Sequence, residues 1–295
     1  MKQITSRPYM ILQDHMAVYQ FMLEIYEKDW RNGVPAPFLE YALYSDWMDK
    51  GYTYLNRLWF DGDTIVGFVF YENPVDDVYF SLRPGYEELA PEMVAYAEKH
   101  MPRPNGKHQL ILCGAQKPFV EAAKAAGYQM VYEEPDMQYD FAKPLTYVLP
   151  EGFRFVPVGE ADYAKIMKCC HYGFENDKTD GPWEEDSRDY QMAYAPHATM
   201  EYAVCVENEA GEYVCFAGMW WTPENELAYM EPLCTLPEYR GRGLAAAALS
   251  ELYRRMQPLG ATHMTGGASP FYEKIGYELA VVWTHWMKFE QGKKD

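Results

Sequence analysis

The chain has 295 residues, of which 48% are hydrophobic and 16% aromatic, so it is long enough for two well-packed domains. Its formal net charge of −18 argues against nucleic-acid binding, because phosphate backbones are bound by cationic surfaces. The same acidity suits a cationic small-molecule partner, which an acidic cleft concentrates, and it equally suits solubility alone.

The cysteines and the hydropathy pattern indicate a cytoplasmic protein. None of the six cysteines shows C-x-x-C spacing, which favours buried free thiols in a reducing compartment over a zinc site or a disulfide framework. The N-terminus has no apolar signal core, and no apolar run reaches 18 residues. We therefore expect no metal and no membrane partner.

The first half of the chain begins with a helical pattern and continues with a turn and a strand. Apolar residues recur at roughly helical spacing over residues 13–30. Asp61-Gly62-Asp63-Thr64 then reads as a tight turn that leads into an apolar strand.

The second half repeats this pattern. A helical pattern covers residues 160–172, and a turn at residues 210–212 leads into a strand. Gly67 matches Gly218 at an offset of 151, and Gly127 matches Gly276 at an offset of 149. Such near-constant offsets predict two copies of one α/β unit.

The boundary between the copies is predicted in a segment with two prolines and a glycine, residues 141–152. The predicted domains are residues 1–143 and residues 150–295.

Residues 237–245 form the most informative segment, Pro-Glu-Tyr-Arg-Gly-Arg-Gly-Leu-Ala. Residues 227–236 before it are mostly apolar and predict a strand, and residues 245–256 after it predict a helix. Glycines at 241 and 243 let the main chain approach a ligand closely, and the helix offers its positive N-terminal end to a phosphate. The segment therefore predicts a cradle for a pyrophosphate.

Two motifs in the right order resemble the GNAT acyltransferase superfamily. Arg240, Gly243 and Ala245 satisfy the family's Arg/Gln-x-x-Gly-x-Gly/Ala pattern, and residues 271–277, Phe-Tyr-Glu-Lys-Ile-Gly-Tyr, match its Tyr-x-x-x-Gly-Phe signature. The resemblance covers residues 150–295 well and residues 1–141 weakly, so the chain looks like a tandem GNAT protein. This implies two α/β domains, each a mixed β-sheet flanked by helices.

This resemblance implies that the second copy binds acetyl-CoA. The pyrophosphate would bind the loop residues Arg240, Gly241, Arg242, Gly243, Leu244 and Ala245, with main-chain amides of the last four as donors and Arg240 supporting the loop. The pantetheine arm would pair with main-chain groups of Leu233, Cys234 and Thr235.

The family chemistry is acyl transfer from a thioester, most often to an amine. Tyr272 stands where the family places the phenol that protonates the departing thiolate; a packed core tyrosine is the alternative. Glu231, expected in mid-strand, is the candidate general base, with a structural or substrate-positioning carboxylate as the alternative. The family often has an asparagine where this chain has Thr265, followed by Gly266 and Gly267, so local cofactor contacts there are open.

The acceptor side is predicted in an acidic and aromatic region. Residues 175–189 contain seven acidic and two basic residues, which suits a cationic amine as well as a solvated surface. The substrate-binding candidates are Trp183, Glu184, Trp221 and Tyr229.

The first copy lacks the residues that carry this chemistry. When Pro84 is aligned with Pro237, Glu87 falls on Arg240, and Pro91 falls on Leu244 inside the cradle. Glu88 falls on Gly241, and Ala123 stands in the place of Tyr272. Carboxylates repel pyrophosphate and a proline has no N–H, so we expect this copy to keep the fold without binding acyl-CoA.

The sequence thus favours an N-acetyltransferase that acts on the primary amine of a small molecule by direct transfer within a ternary complex. A protein or peptide N-acetyltransferase and a non-catalytic acyl-CoA-binding sensor are the alternatives. A homodimer is compatible with the sequence, which indicates no oligomeric state of its own.

Overall fold

The computed structural model describes residues 2–73, 75–103, 106, 108–184, 190–268 and 270–289. The chain forms two compact units, Met1–Asp136 together with Leu279–Asp295, and Met137–Glu278. The first unit is discontinuous in sequence, whereas each predicted domain is continuous. Within the described residues, no helix is long and apolar enough to cross a membrane.

The first half of the sequence alternates strands and helices. In chain order these are β1 (Ile4–Pro8), α1 (Ile11–Ile25), α2 (Ala36–Tyr44), β2 (Arg57–Asp61), β3 (Thr64–Glu72), β4 (Asp77–Leu82), α3 (Ala90–His100), β5 (Gln109–Cys113), α4 (Lys117–Ala125) and β6 (Gln129–Asp140).

The second half repeats the order of helices, with five short strands between α6 and α7 where the first half has three between α2 and α3. In chain order these are β7 (Phe153–Phe155), α5 (Tyr163–Gly173), α6 (Asp177–Asp180), β8 (Val204–Asn208), β9 (Tyr213–Ala217), β10 (Trp220–Thr222), β11 (Leu227–Tyr229), β12 (Leu233–Thr235), α7 (Leu244–Met256), β13 (His263–Thr265), α8 (Pro270–Lys274) and β14 (Glu278–Met287).

The helices agree with the sequence pattern except at the end of α1. Asp162 caps α5 because its side chain accepts a hydrogen bond from the Lys165 amide at 3.1 Å. The prediction of a helix to residue 30 is wrong, since α1 ends at Ile25. The apolar spacing continues to residue 30 because Trp30 is also buried, although it lies in a turn. Its backbone there is left-handed, with a φ of 54°.

The sheet of the first unit has the strand order β1-β2-β3-β4-β5-β14. Its strands pair antiparallel except for β4 and β5, which are parallel. Most of β3 is buried, as its run of apolar residues predicts, and it belongs to the large core of this unit.

The second unit contains two short sheets. One has the order β12-β9-β8-β7. In the other, the last residues of β6 pair with β13, β13 runs parallel to β11, and β11 pairs with β10. Helix α7 packs against β8 and β9, while α5 packs against β9 and β12.

The first unit is discontinuous, and the second begins within β6, because the last strands of the two copies are exchanged. Strand β14 follows the second copy in sequence, but its residues Trp283–Trp286 pair with β5 of the first unit. The end of β6 follows the first copy, but its last three residues pair with β13 of the second unit. A cut near residue 145 would therefore separate strands from the sheets that they complete.

The structure confirms the internal repeat at the level of single hydrogen bonds. The Tyr128 amide donates to the Ala123 carbonyl at 3.0 Å, and the Tyr277 amide donates to the Tyr272 carbonyl at 3.0 Å. The intervening glycines, 127 and 276, both have left-handed backbone, with φ angles of 87° and 99°. Ala123 thus occupies in the first copy the place that Tyr272 has in the second.

Candidate active site

The predicted strand over residues 227–236 is two strands that belong to different sheets. Strand β11 pairs with β10 and β13, whereas β12 pairs with β9. Between them lies a cis peptide bond that joins Glu231 to Pro232. The expectation that Glu231 lies in mid-strand is therefore wrong: it lies at the break.

Two neighbours shape this break. A Cβ added at Gly218 would overlap the carbonyl oxygen of Glu231, so only glycine fits beside the break. On the other side, the Thr265 hydroxyl takes the next position of the β11–β13 ladder, since it accepts from the Met230 amide at 2.7 Å. The strands then diverge and leave one edge of β12 open.

The register of β12 decides which of its main-chain groups face this edge. The Leu236 amide donates to the Val214 carbonyl at 3.0 Å, and the Gly218 amide donates to the Pro232 carbonyl at 2.8 Å. Because hydrogen-bonded and non-hydrogen-bonded pairs alternate along antiparallel strands, Cys234 also directs its main chain towards β9. Leu233 and Thr235 direct theirs away from it, towards the open edge.

The loop before α7 ends in a helix start that no described side chain caps. Gly241 and Gly243 have φ angles of 75° and 85°, which L-residues with a Cβ rarely adopt. The amides of the first helical turn therefore lack an internal side-chain acceptor, and they lie at the positive end of the helix dipole.

The two arginines of this loop do different things. Arg240 ties the loop to its surroundings, since it donates to the Gly173 carbonyl at 2.7 Å and to the Thr235 carbonyl at 3.2 Å. Arg242 is exposed and lies over the Tyr239 ring, 4.9 Å from its centroid. This geometry agrees with the loop-supporting role expected of Arg240. Arg242, by contrast, is not among the residues that line the cleft described below.

The open edge and the helix start border one cleft of about 630 Å³. Most of the predicted cofactor residues line it, together with Tyr272: Leu233, Cys234, Thr235, Arg240, Gly241, Gly243, Leu244 and Ala245. Arg242 and Glu231 are not among its lining residues. Sequence reasoning missed Gly173, Phe174, Tyr239, Ala246 and Phe271.

Gly173 shows why the end of α5 was missed. A Cβ added there would lie 2.8 Å from the Cys234 Cβ, so this glycine lets α5 lie directly against β12. The only signal in the sequence is a glycine at the end of a helical pattern, which is more often read as a helix stop.

Tyr272 projects from the short helix α8 and is 9% exposed. Its ring lies 5.2 Å from that of Phe271 and 5.1 Å from that of Tyr277. Gly267 and Gly266 make room for this cluster, since a Cβ at Gly267 would lie 3.2 Å from the Tyr272 ring and a Cβ at Gly266 2.8 Å from the Tyr277 ring. Gly266 and Gly267, which follow the departure from the family pattern at Thr265, thus make room for the rings of Tyr277 and Tyr272.

Glu231 is half-buried near the phenol of Tyr190. Tyr190 is 3% exposed, and its pKa is raised well above the ordinary value, chiefly by burial and then by the nearby Cys170 and Glu231. Tyr190 therefore remains a neutral group beside this carboxylate at neutral pH.

The four acceptor-side candidates do not converge on the cleft. Trp221 is half-buried on β10, and Tyr229 is 5% exposed on β11. Trp183 is half-buried, with its ring 5.6 Å from that of His171, and Glu184 is exposed. Residues 185–189 of the predicted acidic stretch lie outside the described part of the chain.

In the first copy, the corresponding edge of β4 is closed by the chain itself. The Leu82 amide donates to the Asn32 carbonyl at 2.8 Å. The Gln116 side chain donates to the Phe80 carbonyl at 2.9 Å and accepts from the Cys113 amide at the same distance.

The alignment of Pro84 with Pro237 places Phe80 on Leu233 and Leu82 on Thr235. In the first copy, the Phe80 carbonyl is bonded to a side chain and the Leu82 amide is bonded to a loop. In the second copy, Leu233 and Thr235 face the cleft. The same edge is therefore closed in one copy and open in the other.

The helix start of the first copy is likewise unsuited to an anion. Glu87 accepts a hydrogen bond from the Gly85 amide at 2.8 Å, so a carboxylate lies in the turn that precedes the helix. Pro91 is the second residue of helix α3, and Glu92 lies in the first turn of the same helix. This copy is thus degenerate at the loop, at the strand edge and at Ala123.

Residues 163–277 match the family model described as acetyltransferase (GNAT) family. The fold of nearly the whole chain is similar to that of a GCN5-related N-acetyltransferase from Sphaerobacter thermophilus, with 16% identity, 97% of this chain and 95% of that chain covered, and a TM-score of 0.61. A comparison with curated protein sequences finds no match.

Two further solved structures have a similar fold. A tandem GNAT protein from the clavulanic acid biosynthesis pathway has 14% identity, covers 99% of this chain and 100% of its own, and has a TM-score of 0.59. An acetyltransferase of the GNAT family from Colwellia psychrerythraea has 11% identity, coverage of 97% and 100%, and a TM-score of 0.58. Residues 163–277 therefore match the GNAT acetyltransferase family, and nearly the whole chain has a fold similar to that of a tandem GNAT protein.

Proposed function

We propose that this protein transfers an acetyl group from acetyl-CoA to the primary amine of a small, cationic molecule, directly within a ternary complex. One observation carries the proposal: an open strand edge and an uncapped helix start border the same cleft, and Tyr272 lines it.

The amides of Gly243, Leu244 and Ala245 would bind the pyrophosphate. Such amides are strong donors to an anion, and the helix dipole adds favourable charge at this end. Arg240 holds the loop through the Gly173 and Thr235 carbonyls, which fixes the amides before the ligand arrives.

The pantetheine arm would lie along the open edge of β12. Leu233 and Thr235 offer it main-chain groups in the manner of a strand added to a sheet edge. Cys234 contributes wall surface rather than main-chain bonds, because its amide and carbonyl are directed at β9. This refines the expectation that all three residues pair with the arm.

Tyr272 and Glu231 would handle the two protons of the reaction. The Tyr272 phenol protonates the thiolate that leaves when the thioester bond breaks. Glu231 accepts the proton that the amine loses as its nitrogen attacks the acyl carbon, through a water molecule because the carboxylate lies outside the cleft lining.

The acidity of the chain supports a cationic acceptor. The net charge of −18 raises the local concentration of amines, and Glu184 with the aromatic rings of Trp183, Trp221 and Tyr229 suits an ammonium group through charge and cation–π attraction.

The first unit would bind no acyl-CoA and would have a structural role. Its strand edge is bonded to Asn32 and Gln116, and the carboxylate of Glu87, in the turn before α3, would repel a pyrophosphate.

A thiol-release assay with acetyl-CoA against pooled amines tests the function. We expect release with small polyamines or amino sugars and no release with peptides that have acetylated N-termini and contain lysine. Release with such peptides alone would favour a protein acetyltransferase. Tight acetyl-CoA binding without release in any pool would favour the sensor.

A further inference from the structure

Three cysteines converge behind the wall of the cleft. The Cys234 sulfur in β12 lies 3.9 Å from the Cys169 sulfur and 3.9 Å from the Cys170 sulfur, both on α5. All six cysteines of the chain are free thiols, and this cluster holds half of them. The proposed acetyl transfer uses none of the three sulfurs.

The backbone brings these sulfurs together. Cys169 and Gly173 are four residues apart on α5 and therefore lie on one face of the helix. Gly173 lies so close to Cys234 that an added Cβ would be 3.0 Å from its sulfur. The face of α5 that carries Cys169 is thus held against β12.

Small oxidants have two routes to the cluster. Cys234 lines the cleft of about 630 Å³, and Cys169 lines a second cavity of about 270 Å³ between α5 and the turn that joins β8 to β9. A molecule as small as hydrogen peroxide fits either space.

We propose that Cys234 is an oxidation site that forms a disulfide with a thiol of α5, Cys169 or Cys170, when the protein meets a peroxide. The sulfur–sulfur distances are short enough for the bond to form after small movements of α5 and β12, because a disulfide needs about 2.05 Å between sulfurs.

The electrostatics of the cluster single out Cys234 as the attacking sulfur. Hydrogen bonds with Cys169 and Cys170 lower the pKa of the Cys234 thiol well below its usual value. The pKa values of Cys169 and Cys170 are raised, first by their hydrogen bonds with Cys234 and then by burial. The thiolate is the reactive form.

The chemistry balances with hydrogen peroxide as the oxidant. The Cys234 thiolate attacks one peroxide oxygen, the O–O bond breaks, and the released hydroxide takes a proton to become water. The thiol of α5 then attacks the sulfenic sulfur, the S–S bond forms, and the second oxygen leaves as water. Two thiols are oxidised and one peroxide is reduced.

The bond would change the cleft, a consequence that rests on the proposed function. Leu233 and Thr235 flank Cys234 and direct main-chain groups at the open edge, while Gly173 and Phe174 line the cleft from α5. Drawing α5 and β12 together moves both sets of lining residues. Oxidation is therefore expected to weaken acetyl-CoA binding at least tenfold, and bound acetyl-CoA is expected to slow oxidation.

The test uses the whole reduced chain, treated with hydrogen peroxide and analysed by intact mass and by peptide mapping. We expect the loss of two hydrogens and a link between the peptide with Cys234 and the peptide with Cys169 and Cys170. Cys205→Ala, which removes a buried thiol outside the cluster, should behave like the wild type. Cys234→Ala should form no link, with circular dichroism to check that it folds.

Several results would overturn the proposal: no loss of mass in the folded protein, a link that omits Cys234, or a Cys234→Ala chain that forms a disulfide equally well. Calorimetry with acetyl-CoA is a separate readout, and an unchanged affinity after complete oxidation would remove the consequence for the cleft. If the reduced protein binds no acetyl-CoA, the proposed function fails while the peptide map still decides the oxidation site.

Discussion

The two copies differ most in what occupies the outward edge of one strand. In the first unit, the Leu82 amide and the Phe80 carbonyl are bonded to the chain's own Asn32 and Gln116. In the second unit, the edge at Leu233 and Thr235 faces a cleft of about 630 Å³. One fold thus either closes its main-chain groups internally or leaves them for a ligand.

This difference shows that the fold alone does not decide function here. Both copies share the turn after the last helix, down to equal hydrogen bonds at Tyr128 and Tyr277. They differ in a few residues that control access to main-chain donors: Gly241 and Gly243 before α7 in one copy, and Glu87 with Pro91 in the other. The predictions below alter these residues.

The largest effect is expected from removing the Tyr272 hydroxyl, which the first copy lacks at Ala123. Tyr272→Phe should lower kcat about 10²- to 10⁴-fold, because the thiolate then leaves unprotonated, with little change in acetyl-CoA affinity. The matched control is Tyr277→Phe, since the Tyr277 hydroxyl is buried without a hydrogen-bond partner among the described residues. Steady-state kinetics that show equal rates for Tyr272→Phe and the wild type would remove Tyr272 from the mechanism.

The next effect concerns the paired glycines at positions 67 and 218. Gly218→Ala should destabilise the fold by about 3 kcal/mol, because its Cβ would overlap the Glu231 carbonyl. Gly67→Ala should cost about 1 kcal/mol, since its Cβ would meet the flexible end of Met93 at 3.1 Å. Urea unfolding measures both, and equal costs would contradict this account of the strand break.

A smaller effect comes from placing a proline at the second residue of α7, the helix position that Pro91 has in α3. Ala245→Pro removes one amide from the second position of α7, as Pro91 does near the start of α3, and the first turn of a helix tolerates proline. Acetyl-CoA affinity should fall about 10- to 100-fold, the value of one hydrogen bond to a charged group. Ala245→Ser keeps the amide and should bind normally in calorimetry, whereas equal binding by Ala245→Pro would exclude this amide from the cradle.

The smallest effect is a pH response specific to the first unit. Burial raises the pKa of Glu72 to about 7, and the offset of the paired glycines places Pro223 at this position in the second copy. Since the folded state favours the protonated form, the carboxyl destabilises the fold as the pH rises from about 4.5 to 7. At pH 8, Glu72→Gln should therefore have a free energy of unfolding about 1–2 kcal/mol higher than that of the wild type, whereas at pH 5 the two should unfold at nearly the same urea concentration. An equal difference at both pH values would contradict the assignment.

Local features were readable from the sequence. The loop over residues 240–245, the helix behind it and the repeat of Gly127 and Gly276 depend on nearby residues and on backbone angles that only glycine tolerates well. The break at Glu231 was missed because an apolar pattern does not reveal which of two sheets a strand segment joins.

Non-local pairing could not be predicted. Nothing in the composition of β14 indicates that it pairs with β5. The hydrogen bond from Leu82 to Asn32 that closes the strand edge joins two main-chain groups, and such a bond does not depend on the residue types. The convergence of Cys169, Cys170 and Cys234 depends on α5 lying against β12, a contact visible in the sequence only as Gly173.

Calorimetric titration of the whole reduced chain with acetyl-CoA tests the comparison of the two copies most directly. One open strand edge beside the glycine loop before α7 predicts a single molecule bound per chain, with binding weakened by Ala245→Pro and unaffected by Pro91→Ala. Two molecules per chain, or one molecule whose binding responds to Pro91→Ala and not to Ala245→Pro, would contradict the account.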